Sequence, residues 1–165
     1  PINPYGQTKL EDEFLAEEYR KEGVSIIGLR YFNIFGKGQT GSYAGVITQF
    51  MNKVFEKKEL EINGDGEQVR DFIHVSDVAQ ANLSAMESKT EFGFFNIGTG
   101  KMTSIKNLAD IMIKLSNEKL GLKFNSPVKG DVKLSLADII KTEKELDWKY
   151  RIGLKEGLKQ LFQEW

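Results

Sequence analysis

The sequence predicts an α/β fold, in which helices alternate with buried parallel strands. Residues 4–22 carry helical apolar spacing, and after Gly23 comes the near-continuous apolar run Val24-Ser25-Ile26-Ile27-Gly28-Leu29-Arg30-Tyr31-Phe32. Strands covered on both faces read this way. A second short run, Phe94-Phe95-Asn96-Ile97-Gly98, follows another helix-like segment. Between the two lies the loop 33–42, whose Gly36, Gly38 and Gly41 let backbone approach a ligand. In open α/β sheets ligands sit at the carboxyl ends of strands, where this loop begins.

Each element has a local reason. In the first helix Asn3 is the expected N-cap, Pro4 the first helical residue and Gly23 the C-cap. Leu10, Phe14 and Leu15 supply its apolar stripe, while Glu11, Asp12, Glu13, Glu17, Glu18 and Arg20 face water. Residues 43–58 are expected as a helix with Val46, Ile47, Phe50, Met51, Val54 and Phe55 on its apolar side. Leu60-Glu61-Ile62-Asn63 alternates like a strand, Gly64-Asp65-Gly66 turns it, and residues 68–75 read as the returning strand. Ser76 or Asp77 caps a helix over 77–88, where Ala79, Ala81 and Ala85 suit close packing. Residues 104–117 form an amphipathic helix with Ile105, Leu108, Met112 and Leu115 inward. A short strand at 123–125, a loop at 127–133 and two closing helices at 138–146 and 154–164 complete the chain.

Composition bounds the function. The chain has 165 residues, enough for a real core, and a formal net charge of −1, so nothing at whole-chain level points to nucleic acid. There is no cysteine, which excludes disulfides, thiolate metal sites and a cysteine nucleophile, and fits a reducing, cytoplasmic setting. No apolar run approaches membrane-spanning length, so no membrane partner is expected. The first residue is not Met, and the strand that should precede the first helix of a βαβ crossover is absent. We therefore expect the carboxyl-terminal piece of a longer protein.

Tyr5 and Lys9 stand four apart, on one face of the first helix and about one turn from each other. A helix start and a nearby ammonium both favour a phenolate, so this tyrosine could exchange a proton near neutral pH. Alone, such a pair is common on helices and does not establish catalysis. Arg70 after the glycine turn could hold a phosphate bidentately, or be a surface or Asp-paired arginine. Gly130-Asp131 after Lys129 reads equally well as an ordinary turn. His74 is the sole histidine and reads as structural; no metal constellation, nucleophile elbow or P-loop occurs. Gly36 and Gly38 with Gly41 have the wrong spacing for a dinucleotide fingerprint.

Taken in order, the segments Pro4-Tyr5-Gly6-Gln7-Thr8-Lys9, Leu29-Arg30-Tyr31-Phe32-Asn33-Ile34-Phe35-Gly36, residues 63–79, Phe95-Asn96-Ile97-Gly98 and Gly130-Asp131-Val132 resemble a known family. It is the carboxyl-terminal half of extended short-chain dehydrogenase/reductases acting on nucleotide sugars, most like UDP-glucose and UDP-N-acetylglucosamine 4-epimerases. Tyr43-Ala44-Gly45-Val46-Ile47 is similar to that group as well. The resemblance implies the last part of a Rossmann-like, doubly wound nucleotide domain, at residues 1–40 and 74–100. It implies a small α/β substrate lobe at 41–73 and 101–165. It also implies NAD as cofactor, a UDP-sugar as substrate and a homodimer for the full-length protein.

Carried over residue by residue, the resemblance makes Tyr5 the acid/base that exchanges a proton with the sugar 4-hydroxyl. Lys9 lowers its pKa and bonds the nicotinamide ribose, and Tyr31 and Phe32 lie by the nicotinamide. Asn33 and Arg70 contact the diphosphate, Val46 begins a helix near the nucleotide, Glu61 and Asn63 flank the base, and Asp131 binds the nucleotide ribose. The implied chemistry is reversible oxidation, with hydride passing to NAD and back to the other face of the sugar. The family's second arginine clamp falls at Val128, with Lys129 beside it, and lysine offers a point charge without a planar fork. The glycine-rich NAD loop and the Ser/Thr partner of Tyr5 belong to the absent half, so the chain alone is expected to be inactive. The alternatives are a nucleotide-sugar 4,6-dehydratase or reductase, and a non-catalytic nucleotide-sugar-binding or interaction module.

Overall fold

The computed structural model describes residues 4–39 and 45–165. The expected Asn3 cap and the Tyr43-Ala44 part of the second predicted helix lie outside them. The chain runs α1 (Pro4–Lys21), β1 (Ile26–Tyr31), β2 (Asn33–Phe35), α2 (Val46–Phe55), β3 (Leu60–Asn63), β4 (Val69–Arg70), β5 (Phe72–His74), α3 (Val75–Glu87), β6 (Phe92–Ile97), β7 (Thr103–Ser104), α4 (Ile105–Ser116), β8 (Leu122–Asn125), α5 (Ile140–Leu146) and α6 (Leu154–Glu164). The fold is α/β, as the sequence predicts.

The two long apolar runs pair with each other. β1 and β6 are parallel from Ile26↔Phe92 to Tyr31↔Ile97. Alternation along β1 sends Ile26, Gly28 and Arg30 toward α1, while Ile27, Leu29 and Tyr31 share a groove with Asn82 and Ala85 of α3. Helices thus flank both faces of the strand pair, and β1 stays partly exposed along both grooves. β2 pairs in parallel with β5, from Asn33↔Phe72 to Phe35↔His74. Strand pairing therefore gathers the carboxyl ends that precede Asn33, Gly36, Val75 and Gly98.

Two expectations need correction. The Gly64-Asp65-Gly66 turn does not fold a hairpin back on β3. β3 pairs in parallel with β8, and the expected returning strand splits into β4, antiparallel to β7, and β5. Gly64 and Gly66 both take positive φ (76° and 79°), and the Asp65 carboxylate accepts the Glu67 N–H. This turn carries the chain to the start of α4, where the Gly66 and Gln68 carbonyls accept from Lys106 and Ile105. The second correction concerns α1. Phe14 and Leu15 are exposed, and the sheet-facing side carries Ala16 and Glu13. Glu13 accepts a two-point pair from Arg30, Nε to Oε1 and Nη2 to Oε2 at 2.6 Å each. Small Ala16 then allows close approach to the strand.

Helix ends also shift. His74, rather than Ser76 or Asp77, caps α3, its Nδ1 accepting the Ser76 N–H at 3.3 Å. Asp77 is buried instead, taking the Arg151 and Ile152 N–H groups at 2.9 and 3.0 Å. Two hydrophobic cores result. One joins α2, β3, α4 and α6 around Phe50, Met51, Leu108 and Leu158, and the other joins α3 and β6 to Leu146 and Trp148.

Candidate active site

Tyr5 and Lys9 occupy the start of α1. The strand that follows, β1, runs back antiparallel to the helix, so the helix start lies by the strand's carboxyl end. Tyr5, Lys9 and Tyr31 line one groove of about 750 Å3, with Leu10, Gly28 and Phe94 in its walls. Tyr5 is exposed at 73%. The Lys9 ammonium lies 6.0 Å from the Tyr5 ring centre and donates to Asp12 at 2.7 Å, and that bond raises the lysine pKa. Lys9 therefore stays cationic beside the phenol. Tyr31 donates its hydroxyl to Asn82 at 2.9 Å, and Phe32 N–H to Ile97 O holds the end of the strand.

A second cleft, of about 720 Å3, opens between β3, β8 and the 127–133 loop. Asn63, Gln68, Phe124, Val128, Asp131 and Lys133 are among its walls. Beside it, Glu61 accepts from Lys53 at 2.9 Å and from Asn125 at 3.2 Å, which lowers the Glu61 pKa. Arg70 donates to Asp131 Oδ1 at 2.5 Å, and its Nη1 donates to the Val69 and Val132 carbonyls. Of the five N–H groups of a guanidinium, these bonds use three. The other two have no partner among the described residues. Asn33 is fixed at the start of β2, its backbone N and its Nδ2 both donating to Asp71 O at 3.0 Å. Val46 is the first residue of α2 and packs on the first core.

The structure thus brings Asn63 and Asp131 into one cleft, with Arg70 tied to its rim, and Tyr5, Lys9 and Tyr31 into one groove. It does not place these two sets in a single cavity among the described residues. Phe124, Gln68 and Lys133 were not legible as cleft residues. Their only sequence signal is nearness to the 64–66 turn or the Gly130-Asp131 turn. Val128, the position of the family's second arginine, lines the cleft together with Lys133, and Lys129 is not among its walls.

The described residues thus give an α/β fold with a tyrosine–lysine pair at a strand's carboxyl end and, separately, a cleft with Arg70 bound to Asp131 at its rim. The model of the NAD dependent epimerase/dehydratase family matches residues 1–98. The chain belongs to that family. It is 40% identical over 98% of its length to a Methanocaldococcus jannaschii protein provisionally named a UDP-glucose 4-epimerase, of which it covers 52%. The fold matches Thermotoga maritima UDP-glucose 4-epimerase with UDP-glucose at a TM-score of 0.95 and 37% identity, over 99% of this chain and 54% of that one. It matches Bacillus cereus UDP-glucuronic acid 4-epimerase, in complex with UDP-glucuronic acid and NAD, at 0.90 and 32%, over 99% and 52%. The chain spans about half the length of these relatives. Among the described residues no helix is long and apolar enough to cross a membrane.

Proposed function

We propose that this chain is the substrate-binding and proton-transferring part of an NAD-dependent UDP-sugar 4-epimerase. The observation that carries the reading is the Arg70–Asp131 pair at a cleft walled by Asn63 and Phe124, on the same chain as the Tyr5–Lys9 groove. The cleft offers a nucleotide what it needs: an aromatic wall for the base, Asn63 and Glu61 beside it, a carboxylate for ribose hydroxyls, and a guanidinium with Lys133 for the diphosphate. Asn33 adds a fixed amide nearer the sugar. Residues 1–40 and 74–100 belong with the cofactor domain and the remainder with the substrate lobe.

The groove of Tyr5, Lys9 and Tyr31 has the hydroxyl and ammonium groups that fit a nicotinamide ribose. NAD, when bound, supplies acceptance and return of hydride at the sugar carbon. Tyr5 takes the proton of the 4-hydroxyl and gives it back. Lys9 keeps a positive charge close to that oxygen and must leave Asp12 to bond the ribose. Tyr31 holds the strand end in place. This assignment extends to a cytoplasmic homodimer of the full-length protein.

The chain covers about half of its relatives, and we expect no turnover from it alone. The test follows UDP-glucose by proton NMR with NAD present. The chain alone should form no UDP-galactose, and supplying the amino-terminal half of a relative should restore turnover that Tyr5→Phe cuts by about 10²–10⁴-fold. Turnover by the isolated chain, or full activity of the Tyr5→Phe assembly, contradicts the reading.

A further inference from the structure

Asp71 is fully buried, yet the described residues give it no side-chain cation. Its carboxylate instead accepts four hydrogen bonds: Thr99 N at 2.9 Å, Thr99 Oγ1 at 2.6 Å, Gly100 N at 2.8 Å and Ala137 N at 3.3 Å. Gly98 makes room for it, since a Cβ there would come 2.8 Å from Oδ2. The main-chain oxygen of the same residue takes both donors of Asn33. One residue therefore ties together the start of β2, the turn after β6 and the segment that follows Asp131.

That segment is a strap across the cleft. Lys133 O accepts from Val69 N at 2.8 Å, Ser135 N donates to Val69 O at 3.1 Å, and the Asp71 carboxylate closes the far end at Ala137. The strap carries Asp131 and Lys133 into the cleft and holds the Arg70 fork through Asp131 and Val132. A buried carboxylate without a cation is costly unless hydrogen bonds satisfy it.

We propose that Asp71 is a positioning residue for the nucleotide diphosphate: it fixes the strap so that Arg70, Asp131 and Lys133 converge on one ligand. The inference rests on the nucleotide reading of the cleft. Asp77 provides the control, because it is equally buried and also accepts two backbone N–H groups, but at Arg151 and Ile152, away from the cleft.

The experiment titrates UDP calorimetrically into the chain and into Asp71→Asn, Asp77→Asn, Arg70→Lys and the Asp71→Asn/Arg70→Lys double variant. Melting curves show that each is folded at the titration temperature. Asp71→Asn should weaken UDP about tenfold or more, the scale of one charge-assisted hydrogen bond. Asp77→Asn should lower the melting temperature comparably and leave UDP affinity within about twofold. On the Arg70→Lys background the Asp71→Asn effect should shrink, because it acts through that fork. Equal affinities for Asp71→Asn and Asp77→Asn, or effects of Asp71→Asn and Arg70→Lys that simply add, overturn the inference. If Asp71→Asn does not fold, Thr99→Val removes the 2.6 Å hydroxyl bond to Asp71, together with the 3.2 Å bond that oxygen accepts from Lys101 N–H, and should still weaken UDP; unchanged affinity overturns the proposal. No UDP binding by the unaltered chain would overturn the nucleotide reading itself, and this inference with it.

Discussion

Gly157 sits inside α6, where glycine costs about 1 kcal/mol relative to alanine. Propensity alone therefore predicts that Gly157→Ala stabilises the protein. Packing predicts the reverse. A Cβ at this position would lie 2.8 Å from both Cε2 and Cζ of Phe35 and 3.0 Å from Cδ2 of His74. Phe35 is 2% exposed, and its ring meets the His74 ring edge-on with centres 5.3 Å apart, so neither ring can swing aside. Overpacking of this kind costs about 1–3 kcal/mol. With three contacts on two confined rings the upper half of that range applies, leaving a net loss of about 1–2 kcal/mol. For a chain of this size that lowers the melting temperature by about 2–8 °C. Thermal denaturation followed by circular dichroism reads it directly. On a Phe35→Leu background, where the ring is gone, Gly157→Ala should lose its penalty or turn stabilising. An unchanged or raised melting temperature for Gly157→Ala alone would refute the steric argument.

His74 gives a pH dependence. Burial pushes its imidazole below the ordinary value, against the opposing pull of Asp77 and Glu164. A depressed folded value means the contribution is complete above the unfolded imidazole pKa and is lost as pH falls through the folded one. Melting temperature should therefore drop more steeply with acid for the unaltered chain than for His74→Asn, and parallel curves would contradict this. Ser104 caps α4, its Oγ accepting Asn107 N–H at 3.1 Å, so Ser104→Ala should cost about 1 kcal/mol in urea denaturation. Tyr5→Phe in the complete, cofactor-loaded assembly should cut turnover about 10²–10⁴-fold while leaving UDP affinity unchanged. A parallel fall in UDP affinity would remove Tyr5 from proton transfer.

The sequence made the long elements legible because their period is strong. Ile26 to Tyr31 and Phe92 to Ile97 emerge as partners, and α4 spans Ile105–Ser116 with Leu108 and Met112 buried. Short elements failed for a physical reason. Val69-Arg70 and Thr103-Ser104 form a two-residue pairing that only tertiary contact defines, so a strand-like run over 68–75 could not reveal its break at Asp71. The face of α1 also escaped: Ala16 and Glu13, which pairs with Arg30, lie toward the strand, while Phe14 and Leu15 are exposed. Tyr5, Lys9, Arg70 and Asp131 could be picked from motifs as candidates, and the structure puts Tyr5 with Lys9 in one groove and Asp131, bonded to Arg70, in the cleft. Phe124 and Lys133 could not, since only the parallel β3–β8 pairing and the strap turn them toward the cleft. Asp71 carried one faint signal, an acid between Arg70 and the apolar pair Phe72-Ile73.

The central claim is that this chain holds the nucleotide-sugar side of an epimerase, and calorimetric titration with UDP-glucose and, separately, with NAD tests it most directly. The account predicts saturable UDP-glucose binding that Arg70→Ala weakens by about tenfold or more, and no saturable binding of NAD to the chain alone. The absence of UDP-glucose binding, or binding that Arg70→Ala leaves unchanged, would contradict it.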